Sequence, residues 1–215
     1  TPIVLFPPLL QELRDYPDAI VGYLMAGRGV GNWLSFLIVV PFTRYNPRLA
    51  LATGFLLQAI SGFWMASLNI NMTASSVFWS NTLQGMGFGL AYTPLATLSF
   101  STLSTQLMTQ GSGFFNLLRN FGSGIFISFS VLVLVHTSAQ SYDWLRDGVT
   151  PFNEILALPG VAGNLWAEGA LSVPGVVSEA HRQASMIGYV NAFYLFGIAA
   201  AIGIPLSFLF RVRRG

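Results

Sequence analysis

Five long apolar segments constrain the fold of this chain more than any other feature. Each contains at most one formal charge, and a helix of about 20 residues is long enough to cross roughly 30 Å of hydrocarbon. The segments are 20–40, 49–68, 77–100, 111–135 and 187–210. They predict an all-α membrane protein.

The composition agrees with this prediction. Only 8% of the residues are charged and 53% are hydrophobic, whereas soluble domains carry roughly 25% charged residues. The net charge of +2 comes without any lysine and without a basic cluster before the last five residues, so no nucleic-acid partner is predicted. Because cysteine is absent, disulfides and thiolate metal sites are excluded, and we predict neither a metal nor a cofactor.

The N-terminal residues 1–13 are apolar but too short to cross a membrane at 1.5 Å per residue. We interpret them as the outer end of a helix that begins before Thr1, which gives a six-helix half-bundle with a truncated first helix. The segments are rich in glycine, serine, asparagine and threonine. Small residues allow close helix packing and polar ones bond between helices, so a packed bundle is expected.

The charges alternate between the two ends of the predicted helices. The acidic residues are Glu12, Asp15, Asp18, Asp143, Asp147, Glu154, Glu168 and Glu179. The arginines that follow segments 20–40 and 187–210 are Arg44, Arg48, Arg211, Arg213 and Arg214. By the positive-inside rule, 42–48, 101–110 and the tail 211–215 face the cytoplasm. The protein is therefore predicted to be a multi-pass cell-membrane protein with a cytoplasmic C-terminus.

The remaining stretch, 136–185, is predicted to be an extracytoplasmic loop. Short helical pieces are expected around 141–158 and 177–185. A connection of this length is more often functional or mobile than inert, so a cap or a docking surface is one reading, beside that of a partly ordered connection.

Two charges lie inside the segments, Arg28 and Arg119. A mid-span arginine costs about 2.5–3.5 kcal/mol on insertion scales and usually faces the bundle interior or a water-filled cavity. Helical spacing gives Arg119 a polar face of Asn116, Arg119, Asn120 and Ser123, opposite an apolar face of Leu118, Phe121, Ile125 and Phe129. Arg28, Asn32 and Ser35 form a similar stripe. Either these stripes line a substrate cavity, or Arg119 snorkels to the headgroups.

Segment 77–100 contains glycines in alternation. Their spacing does not match a phosphate-binding loop, and we interpret Gly85 and Gly89 as a small-x-x-x-small packing face. Pro94 removes one backbone hydrogen bond and should bend the helix near its middle.

Five motifs occur in a characteristic order. They are RGVG at 28–31, FTRYNPR at 42–48, LQGMGFGLAYTPL at 83–95, GSGFFNLLRNFGSGIF at 111–126 and RQASMIGYVNAF at 182–193. Together they resemble the C-terminal half of a fourteen-helix drug–proton antiporter of the major facilitator superfamily, EmrB/QacA type. The resemblance covers essentially the whole chain and depends most on the patterns around Asn116, Arg119 and Asn191.

The resemblance implies a half-bundle of the major facilitator fold, in which two halves rock about a central cavity. It implies export of hydrophobic or amphipathic compounds in exchange for protons, across a bacterial inner membrane. The implied cavity residues are Asn32, Gln84, Tyr92, Phe115, Asn116, Arg119 and Asn120. The implied structural or gating residues are Arg28, Arg44, Gly85, Gly89, Pro94 and Asn191. Membrane lipids, small hydrophobic substrates, protons, the N-terminal half and a periplasmic adaptor protein are the implied partners.

Three positions depart from the family pattern. Thr43 stands where an acid usually precedes the loop arginine, Gln84 where arginine is frequent, and Asn191 where aspartate is frequent. No acid lies inside any segment. The proton-carrying carboxylates are therefore expected in the N-terminal half.

Two other classes of protein remain as alternatives. One is a half-size transporter that acts as a homodimer, and the other is a non-transporting membrane scaffold. An enzyme is not predicted, because His136 and His181 lie outside the segments and in no metal-ligand or nucleophile–base pattern.

Overall fold

The computed structural model describes residues 1–100, 107–148 and 173–209, and the regular elements within these ranges are helical. In chain order they are α1 (Pro2–Arg14), α2 (Asp18–Tyr45), α3 (Pro47–Ala66), α4 (Ala74–Phe100), α5 (Met108–Gly148) and α6 (Val173–Leu209). No strand occurs in these residues. The prediction of an all-α membrane protein is confirmed.

Two short connections fix how the first helices follow one another. The helix α1 ends at Arg14. The next residue, Asp15, has a left-handed backbone (φ 51°), and its N–H donates to the Gln11 carbonyl at 3.1 Å. Between α2 and α3 only Asn46 is non-helical, and its side-chain oxygen accepts from the N–H groups of Arg48 and Leu49. Such capping satisfies N–H groups that a helix start leaves unpaired, so α3 can begin with only one residue between it and the end of α2.

Four of the described helices are long and apolar enough to cross a membrane. The qualifying stretches are Asp18–Tyr45, Pro47–Ala66, Met108–Leu145 and Val177–Leu209. The predicted segment 77–100 does form a helix of suitable length, α4, but α4 is not one of these four. Ser80, Asn81, Thr82 and Gln84 lower its hydropathy, and all four side chains are buried. Because α4 packs between α2 and α3, it does not need the apolar surface of a lipid-facing helix. That α4 crosses the membrane stays a prediction.

The predicted loop 136–185 is helical in both of its described parts. The helix α5 continues beyond 135 to Gly148, and α6 begins at Val173, before segment 187–210. The sequence from 136 to 147 contains neither proline nor glycine, so nothing in it stops a helix that has already formed. Residues 101–106, 149–172 and 210–215 lie outside the described residues, and with them most of the predicted loop 101–110, the middle of 136–185 and the tail 211–215.

The helices pack mainly in four pairs: α2 with α4, α3 with α4, α3 with α6, and α5 with α6. The short helix α1 is held by the fully buried Phe6, Leu9 and Leu10. The Phe6 ring lies 4.9 Å, centroid to centroid, from the ring of Phe193 in α6. The core of the chain therefore joins its first and last described helices.

The contact between α2 and α4 is too close for larger residues at several glycines. A Cβ atom on Gly31 would collide with the backbone carbonyl of Thr82, and one on Gly85 would collide with the backbone carbonyl of Arg28. Gly89 likewise lies directly against α2. Small residues here bring the two backbones together, and they place the polar stripe of α2 against α4.

We expect Gly31→Ala to destabilise the protein by about 1–3 kcal/mol, because the helix backbones must separate to admit the methyl group. The matched control is Gly29→Ala in the same helix, where an added Cβ meets nothing within 4 Å. The control should be neutral or slightly stabilising. Thermal unfolding of both variants in lipid nanodiscs measures the difference, and equal midpoints would contradict this account of the α2–α4 contact.

Candidate functional site

Two aromatic side chains of α4 form the centre of the candidate site. Phe88 and Tyr92 lie four residues apart, on the same face of the helix. Their rings stack with a centroid separation of 5.7 Å and an interplanar angle of 15°. Phe115 of α5 extends the aromatic surface, with its ring 6.5 Å from that of Tyr92.

The rings of Phe88 and Tyr92 each have an arginine from another helix lying over them. The guanidinium carbon of Arg28 in α2 is 5.5 Å from the centroid of Phe88, and that of Arg119 in α5 is 5.4 Å from the centroid of Tyr92. The Nη1 atom of Arg119 also donates to the Tyr92 hydroxyl at 3.1 Å. We call Arg28, Phe88, Tyr92 and Arg119 the arginine–aromatic ladder.

Several polar atoms near the α2–α4 contact have no partner in the described part of the chain. The buried atoms Arg28 Nη1, Asn32 Oδ1 and Gln84 Oε1 make no hydrogen bond there. A buried polar group left unpaired costs about 1–3 kcal/mol. These atoms are therefore available to bind water or the polar part of a ligand.

The electrostatic character of the ladder is positive. Neither Arg28 nor Arg119 forms an ion pair with any carboxylate in residues 1–100, 107–148 and 173–209. A guanidinium group over an aromatic ring is stabilised by about 0.5–2 kcal/mol through the ring quadrupole. This attraction does not neutralise the positive charge. The ladder thus combines two positive charges with a stacked apolar surface.

The predicted polar face of α5 is only partly brought into this site. Arg119 reaches α4, whereas Asn116 and Asn120 are exposed. The Asn116 side chain donates to the Ser112 carbonyl of its own helix at 3.0 Å. The opposite face is exposed as well, so that the inward direction of the polar face stays a prediction.

Three other predicted structural or gating residues, Arg44, Pro94 and Asn191, are not members of the ladder. Arg44 is exposed near the C-terminal end of α2, and Asn191 is half-buried in α6, which packs on α3 and α5. Pro94 is buried within the continuous helix α4.

Sequence reasoning missed one member of the ladder, Phe88. The spacing of Phe88 and Tyr92, four residues apart, was a signal that could have identified the pair. That an arginine from α2 lies over Phe88 could not be derived from this spacing.

Comparison with known proteins gives relatives whose names describe export or resistance. The chain is 26% identical over 155 residues to the multidrug export protein EmrB of Haemophilus influenzae, covering 71% of this chain and 30% of that protein. It is 24% identical over 211 residues to the fatty acid resistance protein FarB of Neisseria gonorrhoeae, covering 96% of this chain and 41% of that protein. EmrB of Escherichia coli is 25% identical over 153 residues, which are 70% of this chain and 30% of that protein.

The chain therefore spans well under half the length of these relatives. No family model matches it, and no solved structure matches it significantly. These relatives are export and resistance proteins, and the described helices make the chain a multi-pass membrane protein.

We expect Asn120→Cys to react with a hydrophilic maleimide in intact membranes, since a polar face that lines a cavity is wetted. Leu118→Cys, on the opposite face of the same helix, is the matched control and should react slowly. Both variants are made in a cysteine-free background, which this chain already provides. Equal labelling rates in membranes, with equal labelling after denaturation, would contradict the inward direction of the polar face.

Proposed function

We propose that this chain is the C-terminal half of a secondary active multidrug efflux transporter. It exports hydrophobic or amphipathic compounds by alternating access, coupled to proton antiport. The observation that carries the proposal is the arginine–aromatic ladder, built from α2, α4 and α5 in a chain similar to export and resistance proteins over 70–96% of its length.

The chemistry of the ladder suits loosely bound amphipathic molecules. The stacked rings of Phe88 and Tyr92, with Phe115, offer a flat apolar surface to a hydrophobic body. The guanidinium groups and the unpaired atoms of Asn32 and Gln84 offer hydrogen bonds to its polar part. A site with large apolar area and few directional contacts accepts many compounds, because it does not depend on one substrate geometry.

Two observations support the half-transporter part of the proposal: the lengths of the relatives and the exposed surface of α5. The relatives are more than twice as long as the part of them that this chain matches. The helix α5 packs mainly on α6 and leaves Leu118, Phe121 and Asn120 exposed. In the proposed transporter, an N-terminal half covers part of this surface, and the two halves rock about the ladder.

Proton coupling is assigned to that N-terminal half. In the described helices, the carboxylates lie at the ends and none lies beside Arg28 or Arg119. A proton carrier must be a group that titrates, and arginine does not. The role proposed for this chain is to bind substrate and to move, with its C-terminus in the cytoplasm and its helices in the bacterial inner membrane.

The periplasmic adaptor remains part of the proposal. We place this partner at the end of the bundle where α5 ends at Gly148 and α6 begins at Val173. Deletion of 149–172 in the full-length protein, with transport unchanged in intact cells, would exclude a required contact through that segment.

We expect Arg119→Lys to lower efflux of an amphipathic dye from intact cells by about tenfold, equivalent to roughly 1.4 kcal/mol. Lysine keeps the charge but loses the planar group that lies over Tyr92 and bonds its hydroxyl. Tyr92→Phe removes only the hydroxyl and should have a smaller effect. Its matched control is Tyr45→Phe, at a strongly exposed tyrosine outside the site.

Membrane content of each variant is measured by immunoblot, so that loss of insertion is separated from loss of transport. Wild-type efflux from cells carrying Arg119→Lys would show that this arginine serves only to reach the headgroups. Absence of efflux by the full-length wild-type protein would favour the membrane scaffold instead.

A further inference from the structure

A cavity lies towards the C-terminal end of α5, away from the ladder. It has a volume of about 580 Å³ and is formed by the end of α1, the part of α5 from Leu134 to Tyr142 and the part of α6 from His181 to Tyr189. Ligand cavities in proteins commonly measure about 300–1,000 Å³. Its walls include Glu12 of α1, Leu134 and Tyr142 of α5, and His181 and Tyr189 of α6. We call it the end cavity.

One formal charge lines the end cavity, the carboxylate of Glu12. In the described residues, the structure gives this carboxylate no hydrogen bond and no ion pair. Two neighbouring arginines, Arg14 of α1 and Arg182 of α6, bond to other groups. Arg14 donates to the Ile70 carbonyl at 2.8 Å, and Arg182 pairs with Glu179 at 2.7 Å. The charge of the cavity wall is therefore negative.

The rest of the wall is aromatic and apolar. The rings of Tyr142 and His181 meet edge to face, with centroids 5.7 Å apart, and Tyr189 is almost fully buried. Aromatic rings attract cations through their faces, and the attraction adds to that of a carboxylate. Leu134 supplies apolar contact on the α5 side.

Close packing of α5 on α6 fixes this wall. A Cβ atom on Gly188 would collide with the Ser138 hydroxyl and would lie 2.6 Å from the Leu134 carbonyl oxygen. The two helices therefore approach closely at the cavity wall itself, where Leu134 and Ser138 also line the cavity.

We propose that the end cavity binds an amphipathic organic cation. The positive group lies against the Glu12 carboxylate, and its apolar substituents lie among Tyr142, His181 and Tyr189. The cavity is thus opposite in charge to the arginine–aromatic ladder, and it favours a different class of compound. That this cation is also an exported substrate rests on the proposed function, whereas binding itself does not.

The predicted orientation gives the end cavity a place in transport. The end of the bundle that carries Glu12, Asp18 and Asp143 is the one predicted to face outside the cell. A cation held there is bound on the exit side of the transporter.

Equilibrium binding to the purified full-length protein in nanodiscs of uncharged lipid tests this proposal. The probes are tetraphenylphosphonium and tetraphenylborate, which have nearly the same shape and opposite charge. Both probes are measured at pH 8. Wild type should bind the phosphonium, and Glu12→Gln should weaken that binding by about fivefold, the upper range for a solvent-exposed charge pair.

Asp143→Asn is the matched control, because Asp143 is an exposed carboxylate of α5 that does not line the cavity. It should leave phosphonium affinity unchanged. Tyr142→Leu keeps apolar bulk but removes one aromatic face, and it should weaken phosphonium binding while leaving borate binding unchanged. This variant carries the test if Glu12→Gln does not fold.

Phosphonium affinity that is insensitive to both Glu12→Gln and Tyr142→Leu would overturn the proposal. Equal weakening by Glu12→Gln and Asp143→Asn would also overturn it, because surface charge alone would then explain binding. Dye efflux from cells is measured in parallel. If the cells export the dye but phosphonium binding does not depend on Glu12, the end-cavity proposal alone is rejected. If phosphonium binding depends on Glu12 but the cells do not export the dye, the transporter function alone is rejected.

Discussion

The close contact between α2 and α4 is the constraint on which the candidate site depends. Gly31 of α2 and Gly85 of α4 each lie against a backbone carbonyl of the other helix. At this separation the guanidinium of Arg28 reaches the ring of Phe88, and Asn32 lies beside the glycine-containing face of α4. A larger residue at either glycine would move the stripe of α2 away from the aromatic pair. The glycines therefore position the chemistry without taking part in it.

Charge is divided between two separate sites of the same bundle. The ladder holds two guanidinium groups without a carboxylate partner in the described residues. Each lies over an aromatic ring, and Arg119 also donates to the Tyr92 hydroxyl. The end cavity holds the carboxylate of Glu12 among aromatic side chains. Two sites of opposite charge joined by one long helix, α5, would allow a transporter to receive compounds of different charge, since each site repels what the other attracts.

Much of the helical architecture was predictable, and the differences between prediction and structure have physical causes. Apolar segments identified four helices that are able to cross a membrane. The fifth, α4, has buried polar side chains such as Asn81, because its neighbours rather than lipid surround it. The loop 136–185 was predicted from its charges and prolines, yet α5 continues to Gly148. Polar composition marks where a chain leaves hydrocarbon, but it does not end a helix, since a helix also forms in water when its residues permit it.

The sequence by itself determined that the chain is helical, that it belongs in a membrane, and that Asn116, Arg119 and Asn120 share one helix face. These properties follow from apolar length and from the period of 3.6 residues, which are local. Only the tertiary structure decided that Arg28 and Arg119 lie over two stacked rings of α4, and that Glu12 shares a cavity with Tyr142 and His181. Contacts between distant segments depend on which surfaces pack together, and that choice depends on all the helices at once.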